Sequence, residues 1–328
     1  MTYKYPDYPL EIQNGVVLDL DSLNNNDLNL DKLKQCLSNW TFYGNTKPEE
    51  IHSRIKNADV VVSNKVVLDK EILSRAKQIK LICIAATGTN NIDLKAARTY
   101  HIPVCNITHY ATHSVPEHVF RLVLSLYGRL MENSDACIQG KWSQSPYFCL
   151  LDFPPQDLNG KTIGIIGYGD LGQAVAKIAK AFDMKVLIAK RDKNDHRKGR
   201  LLLNELLPQV DILTLHCPLT EDNDQLISSQ ELKLLPETAL LINTARGPLV
   251  DETALLQALQ QKQIAAAGLD VLSEEPPAVD HPLLNSGLKN LIITPHIAWA
   301  SQQSRQRLLD QLADNILEFK QGKPRNLL

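Results

Sequence analysis

Several features that would mark particular classes of protein are missing from this sequence of 328 residues. No apolar run approaches the ~20 residues that a membrane-spanning helix requires, and the N-terminus lacks the apolar stretch of a signal peptide. We therefore expect a cytoplasmic protein without membrane contact. Neither sign of charge dominates, since the net charge is −2, and this argues against general binding to nucleic acid. The six cysteines are scattered without a CxxC pair, which is typical of reduced thiols.

What the sequence does contain is an alternation of apolar, strand-like segments with helix-like ones. The first half has GVVLDL (15–20), ADVVVSN (58–64), KLICIAA (80–86) and PVCNI (103–107). The second half has TIGIIG, KVLIA, DILTLH, ALLINT, AAGLDV and LIITPH. Continuous apolar runs are typical of strands buried on both faces of a parallel sheet. The fold class predicted is α/β, with two Rossmann-like or flavodoxin-like domains, each a parallel sheet flanked by helices.

The boundary between the two halves is predicted to lie near residue 114. Ser114 and Glu117 form a capping-box pattern, which predicts the start of a long helix over 115–131. That helix is apolar on more faces than a surface helix needs, which indicates a homodimer interface. The last helix, Ser301 to Gln321, has no strand after it, and we expect it to return to the first domain. The predicted domains are 1–113 plus 302–328, and 114–301.

A glycine loop opens the second half. Gly167, Gly169 and Gly172 follow the strand TIGIIG and precede a helical segment, which is the setting of a dinucleotide-binding loop. Gly167 permits the tight turn, Gly169 lets the backbone approach a pyrophosphate, and Gly172 allows close packing of helix and strand. The amides of Asp170 and Leu171 would face the phosphates at the helix N-terminus. The alternative is a glycine-rich turn that binds nothing, which this strand–turn–helix setting disfavours.

The acidic residue that usually binds the ribose of NAD is absent. The second strand of this half ends in Lys190 and Arg191, close to the place where that acid is expected, and four more cations follow by residue 200. A carboxylate would repel a 2′-phosphate, whereas these cations would attract one. The sequence therefore favours NADP(H) over NAD(H). The alternative is a solvated basic loop with no part in cofactor choice.

Four clusters carry a resemblance to a known family: ATGTNNIDL (86–94), NTARG (243–247), GLDVLSEEPP (268–277) and TPHIAWAS (294–301). Together with the glycine loop they resemble the D-isomer-specific 2-hydroxyacid dehydrogenases, over nearly the whole chain. The segments YATHSVPEH, FCLLDFP and PHIAWAS look most like the glycerate dehydrogenase/hydroxypyruvate reductase branch. The resemblance implies a homodimer and a cofactor cleft between a substrate (catalytic) domain, 1–113 plus 302–328, and a dinucleotide-binding Rossmann domain, 114–301. It also implies closure about hinges near 110–115 and 298–302.

The resemblance implies a catalytic trio of Arg246, Glu275 and His296. His296 would move the proton, Glu275 would hold its imidazole, and Arg246 would bind the substrate carboxylate. Glu274 is adjacent, but the family motif has its glutamate directly before proline, which favours Glu275.

Further site residues are also implied by the resemblance. The amides of Thr87 and Gly88 would hold the substrate carboxylate opposite Arg246, although residue 86 is Ala where many relatives carry Gly. Asp270 would contact the nicotinamide carboxamide. The remaining residues expected to line the cofactor site are Cys217, Thr244, Ala245, His296 and Ala298.

The predicted function is an oxidoreductase that transfers a hydride between a nicotinamide cofactor and a small 2-keto or D-2-hydroxy acid. Hydroxypyruvate/D-glycerate and glyoxylate/glycolate are the favoured pairs. The alternatives are a reductase of a bulkier 2-keto acid and a catalytically weak, NAD(P)-sensing binding protein on the same fold. The histidines at 109, 113 and 118 could suggest a metal site, but no carboxylate is placed to complete one, so no metal is expected.

Overall fold

Parallel β-sheets organise both parts of the chain, and the computed structural model describes residues 11–328. The chain divides into two units. Unit 1 runs to Ala111 and resumes at Ala300–Leu328, and unit 2 is Thr112–Trp299. At both crossings the division falls two residues before the one expected from the sequence.

Unit 1 contains a five-stranded sheet in the order β2-β1-β3-β4-β5, in which every neighbouring pair is parallel. Its strands are β1 (Asn14–Val17), β2 (Asn39–Phe42), β3 (Val60–Ser63), β4 (Leu81–Ile84) and β5 (Val104–Cys105). Its helices are α1 (Asp31–Cys36), α2 (Ile51–Ile55), α3 (Lys70–Arg75), α4 (Leu94–Thr99) and, at the end of the chain, α11 (Gln302–Lys320). The central strands β3 and β4 are buried along their whole length, as their continuous apolar runs predict.

Strand β2 was not predicted. Its sequence is NWTF, and its residues alternate between exposed and half-buried because it lies at the edge of the sheet. Trp40 packs over Gly15 of β1, where an added Cβ would lie 2.5 Å from the indole ring. A large aromatic residue opposite a glycine therefore takes the place of the apolar run that identified the other strands.

The last helix, α11, belongs to unit 1. Its N-cap is Ser301, whose hydroxyl accepts from the amide of Ser304. The helix packs against α1, and Asn315 donates from Nδ2 to the carbonyl of Asn106 at 3.0 Å. Beyond the helix, the amide of Leu328 donates to Val104 of β5 at 3.0 Å. The end of the chain is thus joined to the first sheet.

Unit 2 contains a seven-stranded parallel sheet in the order β12-β11-β10-β9-β6-β7-β8. The strands are β6 (Thr162–Ile166), β7 (Lys185–Ala189), β8 (Arg200–Leu201), β9 (Ile212–Leu215), β10 (Leu240–Asn243), β11 (Ala266–Leu269) and β12 (Leu291–Ile293). The helices are α5 (Ser114–Tyr127), α6 (Leu130–Ile138), α7 (Asp170–Ala181), α8 (Leu203–Leu206), α9 (Ser229–Leu232) and α10 (Glu252–Gln260). All six strands predicted for this half are present, and the two-residue edge strand β8 is additional.

The prediction for the helix at the start of unit 2 was wrong in two respects. Ser114 is the first helical residue rather than the cap, and the N-cap, His113, makes no side-chain capping bond. Glu117 instead pairs with Arg121, one turn further along the helix. The predicted continuous helix over 115–131 is broken, because α5 ends at Tyr127 with Gly128 as its C-cap, and Arg129 has a left-handed backbone with φ 48°.

No helix in the described part of the chain is long and apolar enough to cross a membrane.

Candidate active site

The carboxyl edge of the seven-stranded sheet collects most of the predicted site residues of unit 2. The register pairs Ile166 with Leu215, Leu215 with Asn243, Asn243 with Leu269, and Leu269 with Ile293. The residues that directly follow these five strands therefore lie side by side: Gly167, His216, Thr244, Asp270 and Thr294. On the other side, Ile165 pairs with Ile188, which brings Lys190 level with Gly167. Ligands of parallel α/β sheets bind at this edge.

The glycine loop passes directly over the end of β9. Gly167 has φ 91°, and a Cβ there would lie 2.5 Å from the carbonyl of His216 and the amide of Cys217. Only glycine permits both this conformation and this approach. Helix α7 then begins at Asp170 with Gly169 as its N-cap, so its first amides point toward the loop.

Two polar atoms beside this loop are buried without a hydrogen-bond partner in the described chain: Nδ1 of His216 and Oγ1 of Thr244. Such groups are costly unless a ligand or water satisfies them. At Gly169 an added Cβ would meet no atom within 4 Å, so the loop leaves open space on that side. Unpartnered polar atoms, a helix N-terminus and open space at the glycine loop together fit a dinucleotide.

The basic segment after β7 is organised by one carboxylate. Asp195 is buried and accepts from Nε and Nη2 of Arg197, at 2.7 and 2.6 Å, and from Nη1 of Arg200 at 3.3 Å. It also accepts from the amide of Arg191 at 3.0 Å. The Arg197 guanidinium and the Arg191 amide hold the pKa of Asp195 well below its usual range.

The cations of this segment are therefore not equivalent. Arg197 and Arg200 are both paired with Asp195, whereas Lys190 and Arg191 form no side-chain hydrogen bond or ion pair within residues 11–328. Lys193 and Lys198, the other two, are exposed. The structure thus leaves the two cations at the end of β7 available to a ligand.

The loop that carries Arg246 is braced by Asn243, the last residue of β10. The buried Asn243 side chain accepts from the amide of Ala245 at 3.0 Å and donates to the carbonyl of Arg246 at 2.8 Å. Gly247 then packs on the backbone of the neighbouring loop, where an added Cβ would lie 2.0 Å from the carbonyl carbon of Leu272. This glycine brings the Arg246 loop against the segment that leads to Glu275.

His296 and Glu275 form a hydrogen-bonded pair. Nδ1 of His296 lies 2.7 Å from Oε2 of Glu275, and the other oxygen of Glu275 accepts from the amide of Leu272 at 3.1 Å. The neighbouring Glu274 is exposed and is not part of this pair. With Nδ1 held by a carboxylate, Nε2 of His296 is the nitrogen available to a substrate. His296 has φ 54°, a strained backbone conformation for a residue other than glycine, which is common at functional sites.

Asp270 lies in the interior, with 1% of its surface exposed. Its carboxylate accepts from the amides of Ile297 and Ala298, at 2.9 and 2.8 Å, and from the hydroxyl of Thr294 at 2.5 Å. Its backbone carbonyl accepts from the amide of His296 at 2.8 Å. The structure therefore shows Asp270 holding the turn that carries His296, and its contact with the nicotinamide carboxamide stays a prediction.

In unit 1, Thr87 and Gly88 follow the carboxyl end of β4. The hydroxyl of Thr87 donates to the carbonyl of Ile107 at 2.8 Å, and Asn106 donates to the carbonyl of Thr87 at 2.8 Å. Asn91 fastens the same loop to the end of β3 through bonds to Ser63 and Val66. Within residues 11–328 the amides of Thr87 and Gly88 donate to no acceptor, so both remain available to an anion.

The other predicted residues have modest roles in the structure. Cys217 is partly buried, and burial raises the pKa of its thiol, which disfavours a nucleophilic role. Ala245 packs against the core of unit 2, and Ala298 is buried. Among the described residues, no group of three or more His, Cys, Asp or Glu side chains could hold a metal ion.

Sequence reasoning gave no specific role to four residues that shape the site: His118, His216, Asn243 and Thr294. The last three had a usable signal, because each lies at the end of an apolar run, in LTLH, LLIN or LIIT. His118 had none, since its partners lie more than 150 residues away along the chain.

The buried imidazole of His216 predicts a pH effect on stability. Burial lowers its pKa to about 4, while the unfolded chain keeps the ordinary value of about 6.5. Between these values the unfolded chain binds more protons, so stability is fully present above pH 6.5 and is lost as the pH falls through 4. Between pH 7 and 4.5 we expect the wild type to lose roughly 2 kcal/mol more unfolding free energy than His216→Gln does.

Urea denaturation at the two pH values measures this difference. His52→Gln, at an exposed histidine, is the control for losing one titratable group. An identical acid loss in wild type and His216→Gln would contradict the assignment.

Comparison with known proteins supports a single family. The family model for the D-isomer specific 2-hydroxyacid dehydrogenase, NAD binding domain, matches residues 120–298. A glycerate dehydrogenase of Methylorubrum extorquens is 44% identical over 295 residues, which cover 90% of this chain and 91% of the relative. A hydroxypyruvate reductase of Blautia hydrogenotrophica is 40% identical, with 95% and 98% covered.

A solved structure has the same fold. The acyclic imino acid reductase in complex with NADPH and D-Arg is 29% identical, has a TM-score of 0.85, and matches 96% of this chain and 100% of its own. From the matched domain, the extent and identity of the curated relatives, and the pairing of His296 with Glu275, we conclude that this chain belongs to the D-isomer-specific 2-hydroxyacid dehydrogenase family.

Proposed function

We propose that this protein reduces hydroxypyruvate to D-glycerate, or glyoxylate to glycolate, with NADPH as the hydride donor. The observation that carries the proposal is the pair formed by His296 and Glu275 at the carboxyl edge of the nucleotide-binding sheet. The names of the two curated relatives, glycerate dehydrogenase and hydroxypyruvate reductase, support a small substrate.

Each residue of the trio has one task in this reaction. Arg246 binds the substrate carboxylate with its planar guanidinium. The amides of Thr87 and Gly88, which donate to no acceptor within residues 11–328, are also proposed to bind a carboxylate. Protonated His296 donates from Nε2 to the carbonyl oxygen, while Glu275 holds Nδ1 and so fixes the orientation of the ring. A nicotinamide cofactor, when bound, would supply the hydride that reduces the carbonyl carbon. In the reverse direction His296 accepts the proton of the alcohol.

The proposal predicts opposite outcomes at two neighbouring glutamates. Glu275→Gln should lower kcat for hydroxypyruvate by about 10²- to 10⁴-fold, because it removes the carboxylate that holds Nδ1 of His296 and orients the ring for proton transfer. Glu274→Gln, the matched control next to it, should leave kcat close to wild type. Steady-state reduction, followed by the loss of absorbance of the reduced nicotinamide, measures both.

Other outcomes identify the alternatives. Turnover of phenylpyruvate or a branched-chain keto acid, but not of hydroxypyruvate or glyoxylate, would favour the reductase of bulkier substrates. Tight cofactor binding without turnover of any keto acid would favour the NAD(P)-sensing protein. Equal loss of kcat in Glu274→Gln and Glu275→Gln would contradict the role given to Glu275.

Cofactor choice is assigned to Lys190 and Arg191. Both residues follow β7 and lie level with the glycine loop, and their side chains have no protein partner in the described chain. The two nearby arginines, Arg197 and Arg200, are instead paired with Asp195. Lys190 stands at the end of β7, where the acid that binds a ribose 2′-hydroxyl is expected, and two cations there are available to a 2′-phosphate. The structure of the acyclic imino acid reductase contains NADPH, which supports the proposal that a protein of this fold accepts the phosphorylated cofactor.

Charge reversal should therefore change cofactor preference. Lys190→Glu should lower the ratio of kcat/KM for NADPH to that for NADH by roughly 10- to 1000-fold, the equivalent of one or two charge-assisted hydrogen bonds. Lys193→Glu makes the same change at an exposed position of the same segment and should shift the ratio much less. Equal shifts in the two variants would mean that the segment acts only through its overall charge.

The protein is further proposed to be a homodimer that associates through the region from α5 to the loop after α6. Of the sixteen large apolar side chains that are exposed in the described chain, eight lie between residues 124 and 151. They include Ile138 at 81% and Phe148 at 92% exposure. A patch of this density is unusual on a monomer, and a second copy of the chain would cover it.

Phe148→Asp should shift the species in solution from dimer to monomer, because it places a charge inside the interface. Light scattering coupled to size-exclusion chromatography measures the mass. Val279→Asp, at an equally exposed apolar residue outside the patch, should remain dimeric. A monomeric wild type, or a dimeric Phe148→Asp variant, would contradict the proposed interface.

A further inference from the structure

A buried histidine outside the catalytic trio is hydrogen-bonded to the support of His296. His118 lies on α5, which packs against β10 and β11, and only 5% of its surface is exposed. Its Nε2 is 2.9 Å from Oγ1 of Thr294 and 3.4 Å from Oδ1 of Asp270. Asp270 in turn accepts from the amides of Ile297 and Ala298. A continuous chain of hydrogen bonds thus leads from His118 to the turn that carries His296.

The positions of the protons in this chain of hydrogen bonds follow from a count of donors. Thr294 has one hydroxyl proton, and the 2.5 Å distance assigns it to Oδ1 of Asp270. Oγ1 of Thr294 can then only accept from His118, so Nε2 of His118 carries a proton. Burial lowers the pKa of His118, with Asp270 opposing and Arg121 reinforcing that effect, so the ring is neutral near pH 7. His118 therefore stabilises the Asp270–Thr294 pair as a neutral donor.

This chain of hydrogen bonds joins the two ends of unit 2. Unit 2 runs from Thr112 to Trp299. His118 lies in α5, the first helix of the unit, and Ala298 is the next-to-last residue of the unit. The strained backbone of His296, with φ 54°, lies between Thr294 and Ala298. A conformation of this kind persists only where its surroundings fix it. Asp270 holds both sides of the strained residue, and His118 holds Asp270 and Thr294.

We propose that His118 is a positioning residue for the reaction, which fixes the imidazole of His296 through Thr294 and Asp270. The inference rests on the proposed function for its catalytic consequence, and on the hydrogen bonds alone for its structural one. In this role His118 acts through Thr294 and Asp270. Loss of the donor leaves the shape of the core intact but frees Thr294 and Asp270 to shift, and with them the turn at 296–298.

The test compares two substitutions at residue 118. His118→Phe keeps an aromatic ring but removes the donor, whereas His118→Gln places an amide Nε2 donor at a similar distance. We expect His118→Phe to lower kcat for hydroxypyruvate by about 10- to 100-fold with little change in KM, since a small misplacement of a catalytic group has that effect. His118→Gln should recover most of the loss. His52→Phe, at an exposed histidine of unit 1, is the control and should match wild type.

A second measurement does not depend on turnover. The Nδ1 proton of His296, hydrogen-bonded to Glu275, should give a downfield signal in ¹⁵N-edited spectra of the imidazoles, assigned by its loss in His296→Gln. We expect that signal to shift or broaden in His118→Phe and to remain in His118→Gln.

Unchanged kcat and an unchanged signal in His118→Phe would overturn the proposal, as would equal losses in His118→Phe and His118→Gln. A lower melting temperature in His118→Phe with kcat unchanged would reduce His118 to a structural role and also overturn it. Absence of turnover in the wild type would refute the proposed function, and the imidazole signal would then decide the positioning role by itself.

Discussion

The parallel register of the seven-stranded sheet is the constraint on which the site of unit 2 depends. Because all its strands run the same way and are paired without offset at their ends, the residues that follow them form one row from Lys190 to Thr294. Each strand contributes one chemical feature to that row. A shift of one residue in any pairing would also turn the side chains of that strand to the opposite face of the sheet. Burial of the apolar strands on both faces therefore fixes the register and the site together.

Within this frame, buried carboxylates organise the loops by accepting from backbone amides. Asp195 binds the amide of Arg191 and two guanidinium groups, and Asp270 binds two amides and a hydroxyl next to His296. The same device occurs in unit 1, where Asp19 accepts from the amides of Asn64 and Lys65 at the end of β3. In that case burial outweighs the hydrogen bonds and raises the pKa of the carboxyl. Loops that carry functional groups are thus held by polar contacts, while the apolar core fixes only where they begin.

The charges of the site are arranged by the same contacts. Asp195 pairs with Arg197 and Arg200 and leaves Lys190 and Arg191 available to a ligand, so two of the six cations in this segment are engaged within the protein. His296 is held at Nδ1 by Glu275, which leaves Nε2 as the nitrogen available to a ligand. Function therefore depends on which charges are paired, and composition alone does not report that.

The sequence by itself determined the α/β class, nearly all the strands, the glycine loop and the family, because these follow from local patterns: apolar runs, glycine spacing and short motifs. The choice of Glu275 over Glu274 also came from a short motif. The sequence did not determine the edge strand β2 or the break at Gly128 and Arg129. Nor did it reveal that Asp270 supports a turn or that His118 and Thr294 belong to its hydrogen-bond network. Only the tertiary structure decided these, because the distance between two side chains far apart in the chain is set by packing and register, and no local pattern records it.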